Sequence, residues 1–137
     1  MKKVFLGGTV DSQWRDILIP LLEIDYFNPL ITDRPWVEQD RLNEVSARQT
    51  CDYVLYVLTP RMTGLYAIAE AVDDSNKKPS KTILYVIDRD AGEEGTTVTF
   101  VKSIKDSLDN ISKLVEGNGA KVCRSMQEVA NYLNSHS

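Results

Sequence analysis

Apolar positions along this chain follow two patterns that take turns. Short runs, Lys3-Val-Phe-Leu-Gly7, Tyr26-Phe-Asn-Pro-Leu-Ile31, Tyr53-Val-Leu-Tyr-Val-Leu58, Lys81-Thr-Ile-Leu-Tyr-Val-Ile87 and Ala120-Lys-Val-Cys123, are rich in β-branched and aromatic residues and read as strands. The third run has no polar interruption, as a central parallel strand should. Between the runs, apolar residues recur three and four apart, the period of a helix with one buried stripe. Trp14, Ile17, Leu18, Leu21 and Leu22 make such a stripe from Ser12 to about Glu23, with Ser12 as a candidate cap and Pro20 as a break or kink. Residues from Val37 to about Thr50 form a helix polar on most faces, so one long side should meet water or a partner.

A further helix opens at Leu65, just after Gly64, and runs to about Val72. Asp73 to Ser80 reads as a turn cluster, and Asp88 to Thr97, with Gly92 and Gly95 among charges, as a mobile loop. The longest helix spans Val98 to about Glu116, with Phe100, Val101, Ile104, Leu108, Ile111 and Leu114/Val115 on its stripe, and Gly117-Asn-Gly119 ends it as a left-handed cap would. Ser125 and Glu128 form a capping box for a last helix to about Asn134. Five βα units in one domain, residues 1–137, imply an α/β fold. The expected form is a three-layer α/β/α sandwich with a five-stranded parallel sheet, right-handed crossovers and flavodoxin-like, Rossmann-like strand order 2-1-3-4-5.

Composition narrows the function classes. At 137 residues the chain can bury its own core, and a formal net charge of −4 argues against a general nucleic-acid binder, which needs a basic face. A local basic pocket for one phosphate remains compatible with that charge. No apolar stretch approaches the roughly 20 residues of a membrane span. Met1-Lys-Lys leads at once into a strand, without the apolar run of a secretory leader, so a cytoplasmic protein is expected. Cys51 and Cys123 lack metal-site spacing and read as small buried hydrophobes. His136, within the last two residues, is a poor mount for a base. No metal and no cofactor are called for.

Chemistry in an open α/β sheet sits outside the carboxyl ends of the strands. Those ends bring together Gly7-Gly8-Thr9, Asn28-Pro29, the segment Thr59 to Gly64, and Asp88. Gly7 and Gly8 let a ligand approach backbone N–H groups, or serve only a tight turn. Thr63-Gly64 has the same two readings, phosphate or ribose cradle against plain helix start. Glu70 lies in the first turns of the helix opening at that rim, between Ala69 and Ala71, in place for a nucleophile or general base; among Ala67, Ile68 and Val72 its helix is packed rather than solvated. Glu44 on the polar helix is a surface charge or an acid of the site. Asp52 fixes a turn or contacts substrate. Trp14 and Trp36 read as packing residues, with Trp36 in a loop where it can also stack on a base.

These residues, in this order, resemble the nucleoside 2-deoxyribosyltransferase superfamily and its deoxyribosyltransferase-like branch. The likeness runs from Val4 to about Ile87 and rests on V-F-L-G-G-T at 4–9, Y-F-N-P at 26–29, C-D-Y-V-L-Y-V-L-T-P at 51–60 and M-T-G-L-Y-A-I-A-E at 62–70. It implies a glutamate, at Glu70, that attacks the anomeric carbon of a 2′-deoxynucleoside, or of its 5′-monophosphate, and forms a covalent deoxyribosyl-enzyme. A second base or water then resolves that intermediate. It implies a second acid, at Glu44, that protonates the departing base, and substrate contacts at Gly7, Gly8, Thr9, Asn28, Pro29, Asp52, Thr59, Thr63 and Gly64. It implies a small-molecule substrate and a homo-oligomer whose subunits can share residues, with helix 37–50 and loop 88–97 as contact surfaces. The family tyrosine that steadies the glutamate falls at Phe5, and the sugar-holding aspartate or serine falls at Gly64. Two other readings follow: a nucleotide-binding sensor without catalysis, and a glutamate-dependent glycosidase of NAD-like dinucleotides.

Overall fold

In the computed structural model, residues 1–135 are described; the expectation about His136 lies outside them. The strands are β1 (Lys3–Gly8), β2 (Asp25–Phe27), β3 (Tyr53–Leu58), β4 (Thr82–Val86), β5 (Arg89–Ala91), β6 (Thr97–Thr99) and β7 (Lys121–Cys123). The helices are α1 (Trp14–Leu18), α2 (Glu38–Thr50), α3 (Tyr66–Lys77), α4 (Lys102–Gly117) and α5 (Met126–Ser135). Five strands form one sheet in the order β2-β1-β3-β4-β7, every neighbouring pair parallel. With β7 as the fifth parallel strand, this is the expected order.

Strand alternation divides the core in two. Val4, Leu6, Leu55 and Val57 point to the face covered by α1 and α5, where they meet Trp14, Leu18, Val129 and Leu133. Phe5, Val54, Tyr56 and Leu58 point to the other face, against Ala47 of α2, Ala71 of α3, and Leu108 and Val115 of α4. Every residue of β3 is buried, because both faces of this central strand are covered. Cys51 and Cys123 are buried free thiols, as expected. Among the described residues no helix is long and apolar enough to cross a membrane.

Several expected boundaries move. The first helix is only Trp14–Leu18, followed by a 3-10 turn at Ile19–Leu21 around Pro20, and Ile17 is exposed, so its stripe is narrower than its spacing implies. The second strand stops at Phe27, because Asn28 folds its side chain onto the N–H of Leu30 ahead of Pro29. Residues 73–77 are helical rather than a turn: Asp73 and Asp74 bond Arg48 across to α2, and Pro79 supplies the break. Loop 88–97 holds an antiparallel hairpin, β5 with β6, joined by a turn in which Glu94 takes a positive φ of 52° and Gly95 one of 76°. The fourth helix therefore starts at Lys102, and Val101, Ile104 and Leu114 are exposed. Ser125 caps α5 through the N–H of Glu128, whose carboxylate reaches back to the N–H of Arg124.

Candidate functional site

β1 leads through α1 across one face of the sheet, whereas β3 leads through α3 across the other. The loops after β1 and β3 therefore diverge, and a crevice opens between them at the C-terminal rim, the position where doubly wound sheets bind ligands. Here it is a cavity of about 580 Å³. Its walls come from the end of β1 and the loop after it (Gly7 to Asp11), the segment after β2 (Pro29, Leu30, Ile31), Trp36, Leu58 at the end of β3, the segment Arg61 to Gly64, and the facing sides of α2 and α3.

The glycines have a packing reason to be there. A Cβ on Gly8, whose φ is +120°, would lie 2.0 Å from the Val57 carbonyl oxygen, and one on Gly7 would lie 2.8 Å from the Tyr56 ring. Both are demanded by the approach of β1 to β3, whatever the cavity holds. Thr9 then locks the two loops: its N–H donates to the Val57 carbonyl, and its hydroxyl oxygen accepts the N–H of Thr59.

Two carboxyl groups face the cavity from opposite helices, Glu44 of α2 and Glu70 of α3. The Glu70 side chain is only 11% exposed. Burial raises its pKa to about 7, with the Arg48 guanidinium opposing that rise and the charges of Glu44 and Asp74 adding to it. Glu44 is also pushed up by burial, against the pull of Arg15 and Arg48. Burial thus favours the protonated form of both acids, most strongly at Glu70.

Arg48, one turn after Glu44, sits behind them. Its Nε and Nη2 each lie 3.0 Å from an oxygen of Asp74, Nη2 also lies 3.0 Å from Asp73, and Nε lies 3.1 Å from the Tyr56 hydroxyl. Tyr56 in turn donates to Asp74 at 2.5 Å. Glu70 receives the remainder, an ion pair of 3.6 Å.

Two more arginines border the cavity. Arg15 is 3% exposed and anchors the β1 loop, donating to the carbonyls of Leu6 and Thr9 while stacking on Trp14. Burial lowers its pKa to about 10. Arg61 ties three loops at the mouth, bonding Asp11 after β1 and the Ala91 carbonyl of the hairpin. The hairpin is held again where Asp90 accepts from the Ser12 hydroxyl.

Of the expected site residues, Gly7, Gly8, Thr9, Pro29, Glu44, Thr63, Gly64 and Glu70 line the cavity together, and half-exposed Trp36 joins them. Three do not. Asp52 stands before β3 and accepts the N–H of Lys3, a strand length of about 20 Å from the rim. Asn28 spends its side chain on the turn at Leu30. Thr59 is fully buried, its hydroxyl oxygen taking the N–H of Arg61. Trp14 is a packing residue whose indole N–H bonds the Thr9 carbonyl. Asp88 is apart from the cavity, 3.4 Å from Lys105. The residues missed in the sequence are Arg15, Arg48, Tyr56, Arg61 and Asp74. The spacing Glu44/Arg48 and Glu70/Asp74, one turn apart on each helix, is the signal that pairs two of them with the acids.

Among the described residues no group of three or more His, Cys, Asp or Glu is placed to hold a metal ion. No family model matches the chain, and no curated protein matches it. Among solved structures it is similar to the crystal structure of a conserved protein from Enterococcus faecalis V583, with 13% identity, a TM-score of 0.56, and coverage of 100% of this chain and 99% of that one. At that identity the likeness speaks to the fold, a three-layer α/β/α sandwich.

Proposed function

We propose that this chain is an N-glycosyl transferase or hydrolase of 2′-deoxynucleosides or their 5′-monophosphates, of the nucleoside 2-deoxyribosyltransferase kind. The observation that carries the reading is the shielded carboxyl group of Glu70, set against a second carboxyl, Glu44, across a nucleoside-sized cavity at the topological switch point. In this reading a Glu70 oxygen attacks C1′ of the sugar. The C1′–N bond breaks, its electron pair leaves with the base, and the Glu44 carboxyl supplies a proton to that base. Water or an acceptor base then attacks C1′, the ester bond breaks, and Glu70 is freed as carboxylate while Glu44 takes back a proton. Trp36, Pro29, Leu30 and Ile31 offer the leaving base an apolar wall.

Because Glu70 must be ionised while Glu44 keeps a proton to give, turnover should pass through a maximum with pH. It should rise as the Glu70 carboxyl loses its proton near 7 and fall as the Glu44 carboxyl, also pushed up by burial, loses its own. The test is a chromatographic screen of deoxynucleosides, deoxynucleotides and NAD, each with and without an acceptor base. Base release that vanishes in Glu70→Ala, with the melting temperature kept, supports the proposal. Absence of turnover on every substrate overturns it.

A second reading, a nucleotide-binding protein without turnover, draws support from Phe5. In place of a tyrosine hydroxyl beside the glutamate, its ring packs at 6.0 Å on Phe27 and 6.3 Å on Tyr56. Calorimetry showing nucleotide binding without base release favours it.

A further inference from the structure

Glu70 and Asp74 are one turn apart on α3 and compete for a single guanidinium. Asp74 wins the planar fork: it takes both Nε and Nη2 of Arg48 at 3.0 Å and the Tyr56 hydroxyl as well. Asp73 takes Nη2 again. Glu70 is left with Nε at 3.6 Å, beyond a hydrogen bond. We propose that Arg48, pinned by Asp74 and Tyr56, is the positioning residue of this site, holding Glu70 by charge at the cavity wall without tying up its oxygens. This rests on the glycosidic reading above and adds to it the parts that stand where Phe5 brings no hydroxyl.

The chemistry of the arrangement is specific. A bidentate Arg–carboxylate pair binds both oxygens and holds the acid ionised but poorly nucleophilic. An unpaired carboxyl shielded from water stays protonated and cannot attack. Diverting the fork onto Asp74 leaves Glu70 between these limits. The Tyr56 hydroxyl is the lock, since it bonds Arg48 and Asp74 at once, and β3, the most deeply buried strand, fixes it. The groups facing Glu70 are Glu44 and Arg48 from α2, Asp74 from α3 and Tyr56 from β3. Arg48→Lys keeps the charge but has no fork, so it cannot grip Asp74 through two nitrogens while reaching Glu70.

The test follows the Glu70 carboxyl by carbon-detected NMR titration of the labelled protein, beside the pH profile of base release. Asp74→Asn frees the fork for Glu70 and removes a neighbouring charge, so the Glu70 midpoint should fall by about half a unit or more. Arg48→Met should raise it by about one unit or more, and Arg48→Lys should cut kcat about tenfold or more at nearly constant KM. Arg48→Met leaves Asp74 without its cation, although Asp73 keeps Lys77 at 3.1 Å, and can unfold; Asp74→Asn and Tyr56→Phe keep the shape and still read the network. Tyr56→Phe should move the midpoint in the same sense as Asp74→Asn, by less. A Glu70 midpoint that stays put in both Asp74→Asn and Tyr56→Phe overturns the proposal, whatever the melting temperatures do. Should the wild-type protein release no base at all, the glycosidic reading fails while the titration still decides whether Arg48 positions Glu70.

Discussion

The two faces of the sheet are built from different materials. Beneath α1 and α5 the layer is apolar apart from Arg15, whose guanidinium is taken up by the carbonyls of Leu6 and Thr9: Leu6, Leu55 and Val57 meet Trp14, Leu18, Val129 and Leu133. Beneath α2 and α3 the apolar layer gives way toward the rim to Tyr56, Arg48, Asp74 and Glu70, in hydrogen-bonded or charged contact. Buried polar and charged groups need hydrogen-bond partners, and three of these four, Tyr56, Arg48 and Asp74, bond one another closely. Glu70 is the under-served member, and it is the one that faces the cavity. The difference teaches where to look for chemistry in this chain: on one face the buried charge is a single arginine held by carbonyls, and on the other a carboxyl faces the cavity with its cation no closer than 3.6 Å.

If that division holds, Glu70→Gln should lower base release on the order of 10³-fold or more while the protein melts as well as the wild type near pH 6. Steady-state chromatography on the best substrate of the screen measures it. A loss smaller than about tenfold means the nucleophile is elsewhere.

On the opposite face, Leu133→Ala should behave in reverse. Leu133 is fully buried at the α5 contact, and truncating it should cost about 2–5 kcal/mol in a denaturant titration. Turnover per folded molecule and its pH profile should not change. A shifted profile would mean that the two faces are coupled through the sheet.

The same division explains what could be read without coordinates. The layer order and the five parallel strands were legible because β3 and its neighbours carry unbroken apolar runs, which suit only a strand covered on both sides. Glu70 and the Gly7–Thr9 turn could be placed at the rim because a strand end followed by a helix start fixes it, whereas Glu44, in the middle of α2, was pointed to as an acid by the resemblance. The Arg48–Asp74–Tyr56 network was not: Tyr56 sits inside a run that reads as pure core, and Asp73-Asp74 reads as a turn until Arg48 is seen to neutralise it across 25 and 26 residues. Asp52 misled for the opposite reason. Its place beside the strongest strand is plain in the sequence, but it precedes the strand and so lies at the far edge of the sheet. The hairpin of β5 and β6 hid in a glycine-containing charged segment because its strands are only three residues each.

A smaller effect separates the faces by pH. The folded protein holds the Glu70 proton up to about 7, above the ordinary carboxyl value of 4.5. Its contribution to stability is therefore fully present below 4.5 and is lost as pH rises through 7. The shift alone would amount to about 3 kcal/mol; screening by water on the open side of the cavity reduces this to about 1–2 kcal/mol. Wild-type protein should thus lose that much relative to Glu70→Gln between pH 4.5 and 8, measured by chemical unfolding at each pH. Equal pH slopes for the two proteins would show that Glu70 is no less solvated than in the unfolded chain.

The smallest change tests the rim itself. Gly64 lines the cavity, its φ lies outside the left-handed region, and a Cβ there would meet nothing within 4 Å. Gly64→Ser therefore adds a hydroxyl to the site without strain, and its stability should stay within about 0.5 kcal/mol of the wild type. In the glycosidic reading this position faces the sugar or its phosphate, and one new hydrogen bond of about 0.5–1.5 kcal/mol would lower KM about two- to tenfold at unchanged kcat. The same substitution made at Gly8 would drive a side chain toward the Val57 carbonyl and should unfold the rim instead. That contrast separates a glycine the substrate can do without from one the sheet requires. A Gly64→Ser variant with unaltered KM on every substrate would place the sugar elsewhere in the cavity, against α2 rather than at the start of α3.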